Sequence, residues 1–517
     1  MSIPPADPAV DSPHPLIGEP RRPGGWLGIV AAWTVILIVV VLMAATRGGG
    51  GTPASPAEAM VPSDDPVAAA LLTIQGRYAL GVSRLASSSG GPISPDELFQ
   101  QVASAVPTGP PQVRMRMAIL AAELVGPDRG LRVLEELREA VTELDEDRGP
   151  TGFTLGETDQ RLLAALTGHF AALAGERPGT LDADDHVLLS DELGWWGRVA
   201  TVLDAPEAER AAVLSAATRA AWVVLGAFVL VGVAGLAGVA LLIAAIVGVS
   251  TGRLRLAGSL DPGRRARHGV LVEVFAVWIV LFLALQIMGG LAAGAANAGP
   301  AGMLGAAFAA FMLSLVALEW RRVRGLDGAE FVALAGLGRG RGVIREIGAG
   351  FVGYAATLPL LAVGLVGTLL LALAAGLAGG AGAGTEPVEA LLPSNGPAHP
   401  IVGEIGRSGL VTLMVLLTGA VAAPIVEEIF FRGCLYPHLR HGAARLGPVV
   451  AVGLGAVVSA FIFAVIHPQG LIAVPALMSL AIGFALVREW RGSVIAPVVM
   501  HAINNGAVLS LLVLLLA

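Results

Sequence analysis

Apolar residues along this chain fall into two patterns. The first is the long uncharged run. Trp26 to Thr46 opens the series, and 220–249, 269–292, 299–319, 348–377, 408–430, 447–467, 471–487 and 493–516 follow. A helix rises 1.5 Å per residue, so about 20 residues cross the roughly 30 Å of bilayer hydrocarbon. The runs therefore predict about nine transmembrane helices. The second pattern fills 67–215, where apolar residues recur at helical spacing between Gly and Pro breaks. Val113 to Val125 and Gly130 to Leu144 are two such stretches. Together the patterns predict an all-α protein, a polytopic membrane helix bundle with an inserted helical domain.

The polar segments set the boundaries. Residues 1–25 are Pro-rich and read as a disordered tail. Residues 26–46 read as an uncleaved signal anchor, because the tail and the apolar run are both long for a signal peptide. The segment 47–66 (RGGGGTPASPAEAMVPSDDP) is a flexible linker by composition. The expected division continues with an acidic helical domain at 67–218, membrane helices at 219–380, a loop at 381–407 and a final membrane block at 408–517. Trp195 and Trp196 stand beside the acidic Asp191 and read as a packing pair. No internal repeat is strong enough to name.

Composition agrees with a membrane. The chain is 55% hydrophobic and 14% charged, more apolar surface than a soluble domain of this length can hide. Its 68 glycines suit close helix contact in lipid. There is no lysine, so every fixed positive charge is an arginine, which reads as a GC-rich bacterial coding bias. The net charge of −7 is unevenly spread. Acidic residues concentrate between 58 and 209, whereas arginines crowd the loops 251–268, 320–346, 431–446 and 488–492. The alternate loops 293–298, 378–407 and 468–470 hold one arginine at most. One orientation satisfies all of them: N-terminus in the cytoplasm, helical domain and C-terminus outside, in the inner (cell) membrane of a bacterium. No nucleic-acid partner is expected. The domain at 67–218 has room for an extracytoplasmic protein partner, although helical packing explains it as well. The single cysteine, Cys434, excludes an internal disulfide and reads as a small packing residue.

Ionisable residues within apolar runs are functional candidates, because lipid makes them costly. The final block has three groups: Glu427-Glu428-Ile429-Phe430-Phe431-Arg432 after Pro424, Phe463-Ala464-Val465-Ile466-His467, and His501-Ala502-Ile503-Asn504-Asn505. Glu428 and Arg432 stand four residues apart in the favourable order for a helical ion pair. Glu427 lies about 100° around the helix and has no local partner. A poorly solvated carboxylate near imidazoles is suited to act as a general base. His501 and Asn505 share a helix face, and both can donate to a developing oxyanion. Glu427, His467 and His501 could alternatively hold zinc with one position open. Each group alone has a plainer reading: an interfacial ion pair, a helix cap at His467, a snorkelling His501.

The order Glu-Glu-x-x-x-Arg-Gly, Phe-x-x-x-His, His-x-x-x-Asn resembles the CAAX-protease and bacteriocin-processing (CPBP, or Abi) family of membrane peptidases, which includes the CAAX-prenyl endopeptidases. EEIFFRG is close to that family's first motif and GSVIAPVVMHAINN to its last. The resemblance spans about 408–510. It implies an endopeptidase in which Glu427 and His467 act on the attacking water, Glu428 and Arg432 accompany them, and His501 and Asn505 stabilise the oxyanion. Phe463 and Asn504 are expected in support. No cofactor is preferred, and zinc stays possible. A metal-independent site is favoured, because the one candidate to orient a ligand from behind, Glu428, is already committed to Arg432. The expected partners are the bilayer and a membrane-associated peptide. Prenylated substrates fit poorly with a bacterial chain. The alternatives are a catalytically silent scaffold or immunity protein of the same fold, and a transporter, for which the expected paired broken helices are missing. One demand is geometric. If 447–467 crosses fully, His467 ends about 30 Å from the cytoplasmic face, so the turn at Pro468 to Gly470 has to lie inside the membrane.

Overall fold

The computed structural model describes residues 25–48, 66–90, 93–105, 110–148, 155–175, 181–254, 265–378, 405 and 408–516. The expected tail, linker and 381–407 loop fall for the most part outside them. Every regular element among the described residues is helical.

Helix α1 (Trp26–Gly48) is the first apolar helix. Seven shorter helices follow: α2 (Pro66–Ser89), α3 (Pro95–Ala105), α4 (Pro111–Leu124), α5 (Pro127–Arg148), α6 (Glu157–Leu173), α7 (Ala183–Leu193) and α8 (Trp195–Ala200). They close around a common apolar core from Leu72 to Ala217. Four of the seven begin at a proline, whose missing N–H costs nothing in a first helical turn. Trp195 and Trp196 meet edge to face with ring centres 4.8 Å apart, and the Trp196 indole donates to Thr73 Oγ1 at 3.1 Å. The tryptophan pair is therefore core.

Helix α9 (Glu207–Ser250) joins this bundle to the membrane block without a break. Its 44 residues make a rod about 66 Å long. Helices α10 (Arg265–Ala295), α11 (Gly299–Ser314), α12 (Trp320–Val323), α13 (Gly328–Ala335) and α14 (Val343–Ala378) come next. The last block holds α15 (Gly409–Leu417), α16 (Ala423–Phe430), α17 (Tyr436–Gly442), α18 (Pro448–Ile466), α19 (Val474–Arg491) and α20 (Ile495–Leu516). Nine helical segments among the described residues are long and apolar enough to cross a bilayer. Large side chains such as Phe228 and Leu236 are 77% and 76% exposed along α9, a surface that water would penalise and lipid tails accept. The chain is an integral membrane protein.

Small residues set the helix spacing. A Cβ on Gly483 of α19 would run into the Thr357 side chain of α14, and one on Gly238 of α9 would meet the Ala355 carbonyl. Only glycine permits approaches this close.

The structure corrects the sequence reading at 431–446. The segment expected to be a loop continues as helix through Gly442, and two of its three arginines are buried. Arg432 is 1% exposed and Arg440 is 6% exposed. Arg432 pairs with Glu428, and Arg440 pairs with Glu489 at 2.7 Å. They were counted as topological charges but are internal ion pairs, which leaves Arg445 as that loop's free arginine. The orientation argument keeps its arginine-rich neighbours and loses weight here.

Two wide π turns, Thr418–Ala422 and Phe431–Leu435, interrupt the same helical rod. Each ends two residues before a proline, Pro424 and Pro437. In the first, the Ala423 N–H reaches back five residues to the Thr418 carbonyl. Pro424 has no N–H to offer Gly419, so that carbonyl leaves the helical ladder. The sequence thereby creates an acceptor inside the membrane that some other helix must satisfy.

Candidate active site

Helix α16 sets Glu427 and Glu428 just after the first π turn. Glu428 is fully buried. Its Oε1 accepts from Arg432 Nη1 at 2.8 Å and faces His501 Nδ1 at 2.9 Å. Arg432 is fixed in turn. Its Nη2 donates to the Ala481 carbonyl at 3.1 Å, and its guanidinium lies 4.7 Å from the Phe463 ring centre and 5.2 Å from that of Phe484.

His467 arrives from α18. Pro468 disfavours a helical conformation at the residue before it. His467 is accordingly extended, with φ −75° and ψ 146°, and Gly470 takes a positive φ of 78° to turn the chain into α19. The expected turn at 468–470 is there, and it brings His467 to Glu427: Nε2 stands 3.7 Å from Oε2. His467 Nδ1 lies 2.6 Å from the Phe463 carbonyl. A carbonyl can only accept, so Nδ1 carries the hydrogen and Nε2 presents its lone pair in the neutral ring.

His501 completes the group from α20. Its Nε2 is 3.9 Å from the same Glu427 oxygen. Its Nδ1 donates to Glu428, an acceptor already held by Arg432, so Nε2 carries the lone pair of the neutral ring. Three acceptor atoms thus converge: one carboxylate oxygen and two imidazole nitrogens. Glu427 Oε2 has no hydrogen-bond partner of its own. Phe463 walls the site, with ring centres 4.0 Å from His467 and 5.8 Å from His501. Phe484 stacks on His501 at 5.4 Å.

The last pair follows His501 on the same helix. Asn505 Nδ2 donates to the freed Gly419 carbonyl at 2.9 Å and so holds the π turn. Asn504 Nδ2 donates to Asn505 Oδ1 at 3.2 Å and its own oxygen accepts from Tyr354 OH at 3.3 Å. Tyr354, on α14, was missed from sequence. Its signal was a tyrosine hydroxyl in an apolar run, in a chain with only 3 tyrosines.

The zinc question can be tested on this donor set. The atoms are of the right kind, and both imidazoles are oriented from behind as zinc ligands usually are. The sequence argument that Glu428 was spent on Arg432 is overturned, because it serves Arg432 and His501 together. The spacing is wide, however: tetrahedral zinc holds its donors about 3.4 Å apart. Among the described residues no group of three His, Cys, Asp or Glu side chains is placed to hold a metal ion. The residues as placed do not fit zinc.

These features define an integral membrane protein with a polar cluster sunk among its last six helices. Residues 409–507 match the family described as type II CAAX prenyl endopeptidase Rce1-like, a peptidase family. The matched segment is about a fifth of the chain and contains every site residue named above except Tyr354. No curated protein and no solved structure matches this chain.

Proposed function

We propose that this protein is an intramembrane endopeptidase that cleaves a membrane-associated peptide by adding water. The convergence of Glu427 Oε2 with the Nε2 atoms of His467 and His501, at 3.7 and 3.9 Å, carries the reading. These gaps are too long for direct hydrogen bonds and suit a bridging water. Three acceptors facing one another repel unless donors lie between them, and a water offers two protons. Glu427 takes one proton as the water attacks the scissile carbonyl. The His467 imidazole, pinned by the Phe463 carbonyl, accepts the other hydrogen bond and orients the oxygen. Glu427 then hands its proton to His501 Nε2, and the resulting imidazolium, steadied by Glu428, delivers it to the leaving amine. Arg432 supplies the counter-charge to Glu428. Asn505 acts as a positioning residue through Gly419, and Asn504 and Phe463 support the walls.

The membrane placement belongs to the same proposal: N-terminus in the cytoplasm, acidic 67–218 domain and C-terminus outside, in a bacterial cell membrane. The Arg77 guanidinium of α2 donates to the Leu515 carbonyl near the end of α20 at 2.8 Å, which favours the bundle and the C-terminus lying on one side. Arginine-rich loops favour the opposite side as cytoplasmic.

The test compares peptide termini in membranes carrying the wild type or Glu427→Ala, each with and without a chelator. New termini that depend on Glu427 and ignore the chelator support the reading. Identical termini in all four samples favour the silent scaffold. Cleavage lost on chelation and restored by zinc would replace the metal-free route.

A further inference from the structure

The helical bundle meets the membrane block at a cleft of about 360 Å³, lined by Arg77, Arg198, Arg219 and Trp195 among others. Three arginines share this opening in a domain that is otherwise acidic. None of them forms an ion pair with a described carboxylate. Arg77 is 5% exposed. It gives Nη1 to the Leu515 carbonyl and lies 4.8 Å from the Trp195 ring centre, yet its Nε has no partner. Burial first, then the neighbouring charges of Arg219 and Arg198, bring its pKa down to about 10. Positive charge is therefore concentrated here, with no ion-pair partner for it among the described residues.

The location says what that partner is. Arg219 stands one turn before Trp222 on α9, and Trp222 is 57% exposed at the start of the apolar stretch. Exposed tryptophan at the end of an apolar helix marks the level of lipid headgroups. Leu515, one residue from the end of α20, accepts from Arg77, which lines the cleft. We propose that the cleft binds the phosphate of an anionic phospholipid in the leaflet on the bundle's side. Arg198 and Arg219, both exposed, reach the phosphate from the rim. Arg77 forms the floor, with Trp195 covering its face. Guanidinium groups suit this role, since each presents paired N–H donors to phosphate oxygens. The bound lipid would tie the bundle to the membrane helices at a second point beside α9.

The experiment uses the full chain purified in a neutral detergent and measures lipid retention by native mass spectrometry. Phosphatidylglycerol and phosphatidylcholine are offered in equal amounts. The wild type is expected to retain phosphatidylglycerol, and the Arg198→Gln, Arg219→Gln double variant to lose affinity on the order of 30-fold, from the worth of two interfacial arginines. Both positions are exposed, and unchanged helix content by circular dichroism verifies the fold. Arg77→Gln is a poorer probe because it also frees the Leu515 carbonyl. Equal retention by wild type and double variant overturns the proposal. So does equal retention of the two lipids. A third arm adds inorganic phosphate: if phosphate alone saturates the arginine-dependent site and anionic lipid does not displace it, the lipid assignment is wrong. None of these readouts depends on peptidase activity.

Discussion

Two glutamates in the membrane block show how differently this protein treats a carboxylate. Glu346, at the start of α14, is fully buried and fully answered. Arg491 grips both its oxygens, Nη2 to Oε1 at 2.8 Å and Nε to Oε2 at 2.9 Å, and the Arg341 N–H adds a third bond at 2.9 Å. Among the described residues, Glu427 Oε2 faces two imidazoles beyond hydrogen-bond range and has no hydrogen bond. A carboxylate in the first state is a fastener. One in the second keeps a lone pair and a proton site available, which chemistry needs and stability does not. Glu428 stands between the two: fastened by Arg432, and used to aim His501.

The comparison can be broken at several points. The largest expected effect is on rate. Glu427→Gln should lower peptide cleavage by about 10³-fold, with little change in melting temperature, because the oxygen it alters holds no hydrogen bond. A variant that keeps substantial cleavage would remove Glu427 from the chemistry. Next, Glu346→Ala should do the reverse. It strands Arg491 and should cost about 3 kcal/mol of stability, seen as a lower midpoint in thermal or denaturant unfolding, while the folded fraction still cleaves. Asn505→Ala should have a smaller effect of mixed kind. Leaving the Gly419 carbonyl without a donor should cost about 1–2 kcal/mol, with cleavage per folded molecule falling less than tenfold. A fall of several hundredfold at unchanged stability would make Asn505 an oxyanion donor instead.

The smallest effect belongs to a solvent-facing carboxylate. Asp327 caps α13 by accepting from the Ala329 N–H at 2.9 Å and the Glu330 N–H at 3.3 Å. Those N–H groups, Glu330's first, hold its pKa below the usual 3.8. A carboxyl whose folded pKa is depressed stabilises the fold above its unfolded pKa, and that contribution fades as pH falls through the folded value. Asp327→Asn should therefore keep the cap and flatten the pH dependence of α13 below pH 4. Hydrogen exchange of the Ala329 and Glu330 amides reads this out, and an unchanged acid profile would contradict it.

Much of this was legible in the chain. Uncharged runs gave the nine helices because lipid imposes one length and one composition on anything that crosses it. Pro468 gave the turn that delivers His467, since the restriction on a residue before proline is local. The identities of Glu427, His467 and His501 could be read because ionisable groups in lipid are rare. What stayed hidden depends on partners far away in sequence. Nothing in EEIFFRG says that Glu428 reaches a histidine 73 residues later. Arg440 looked like a loop charge because Glu489, its partner, lies on another helix. The π turns were encoded in Pro424 and Pro437, but their consequence, an orphaned Gly419 carbonyl answered by Asn505, required the packing of α20 against α15 and α16. The helical domain offered composition without a motif, and its arginine cleft exists only once α2, α8 and α9 are side by side.

The central claim is that three acceptor atoms from α16, α18 and α20 surround one water. A density map of the purified chain in lipid nanodiscs, at a resolution that shows ordered water, tests it directly. The account predicts Glu427 Oε2 near 3.7 Å from His467 Nε2 and 3.9 Å from His501 Nε2, with a single water peak in the space between them, hydrogen-bonded to Glu427 and His467. His467 turned away from Glu427, or an arginine or lysine-free apolar seal filling the space between them, would contradict it.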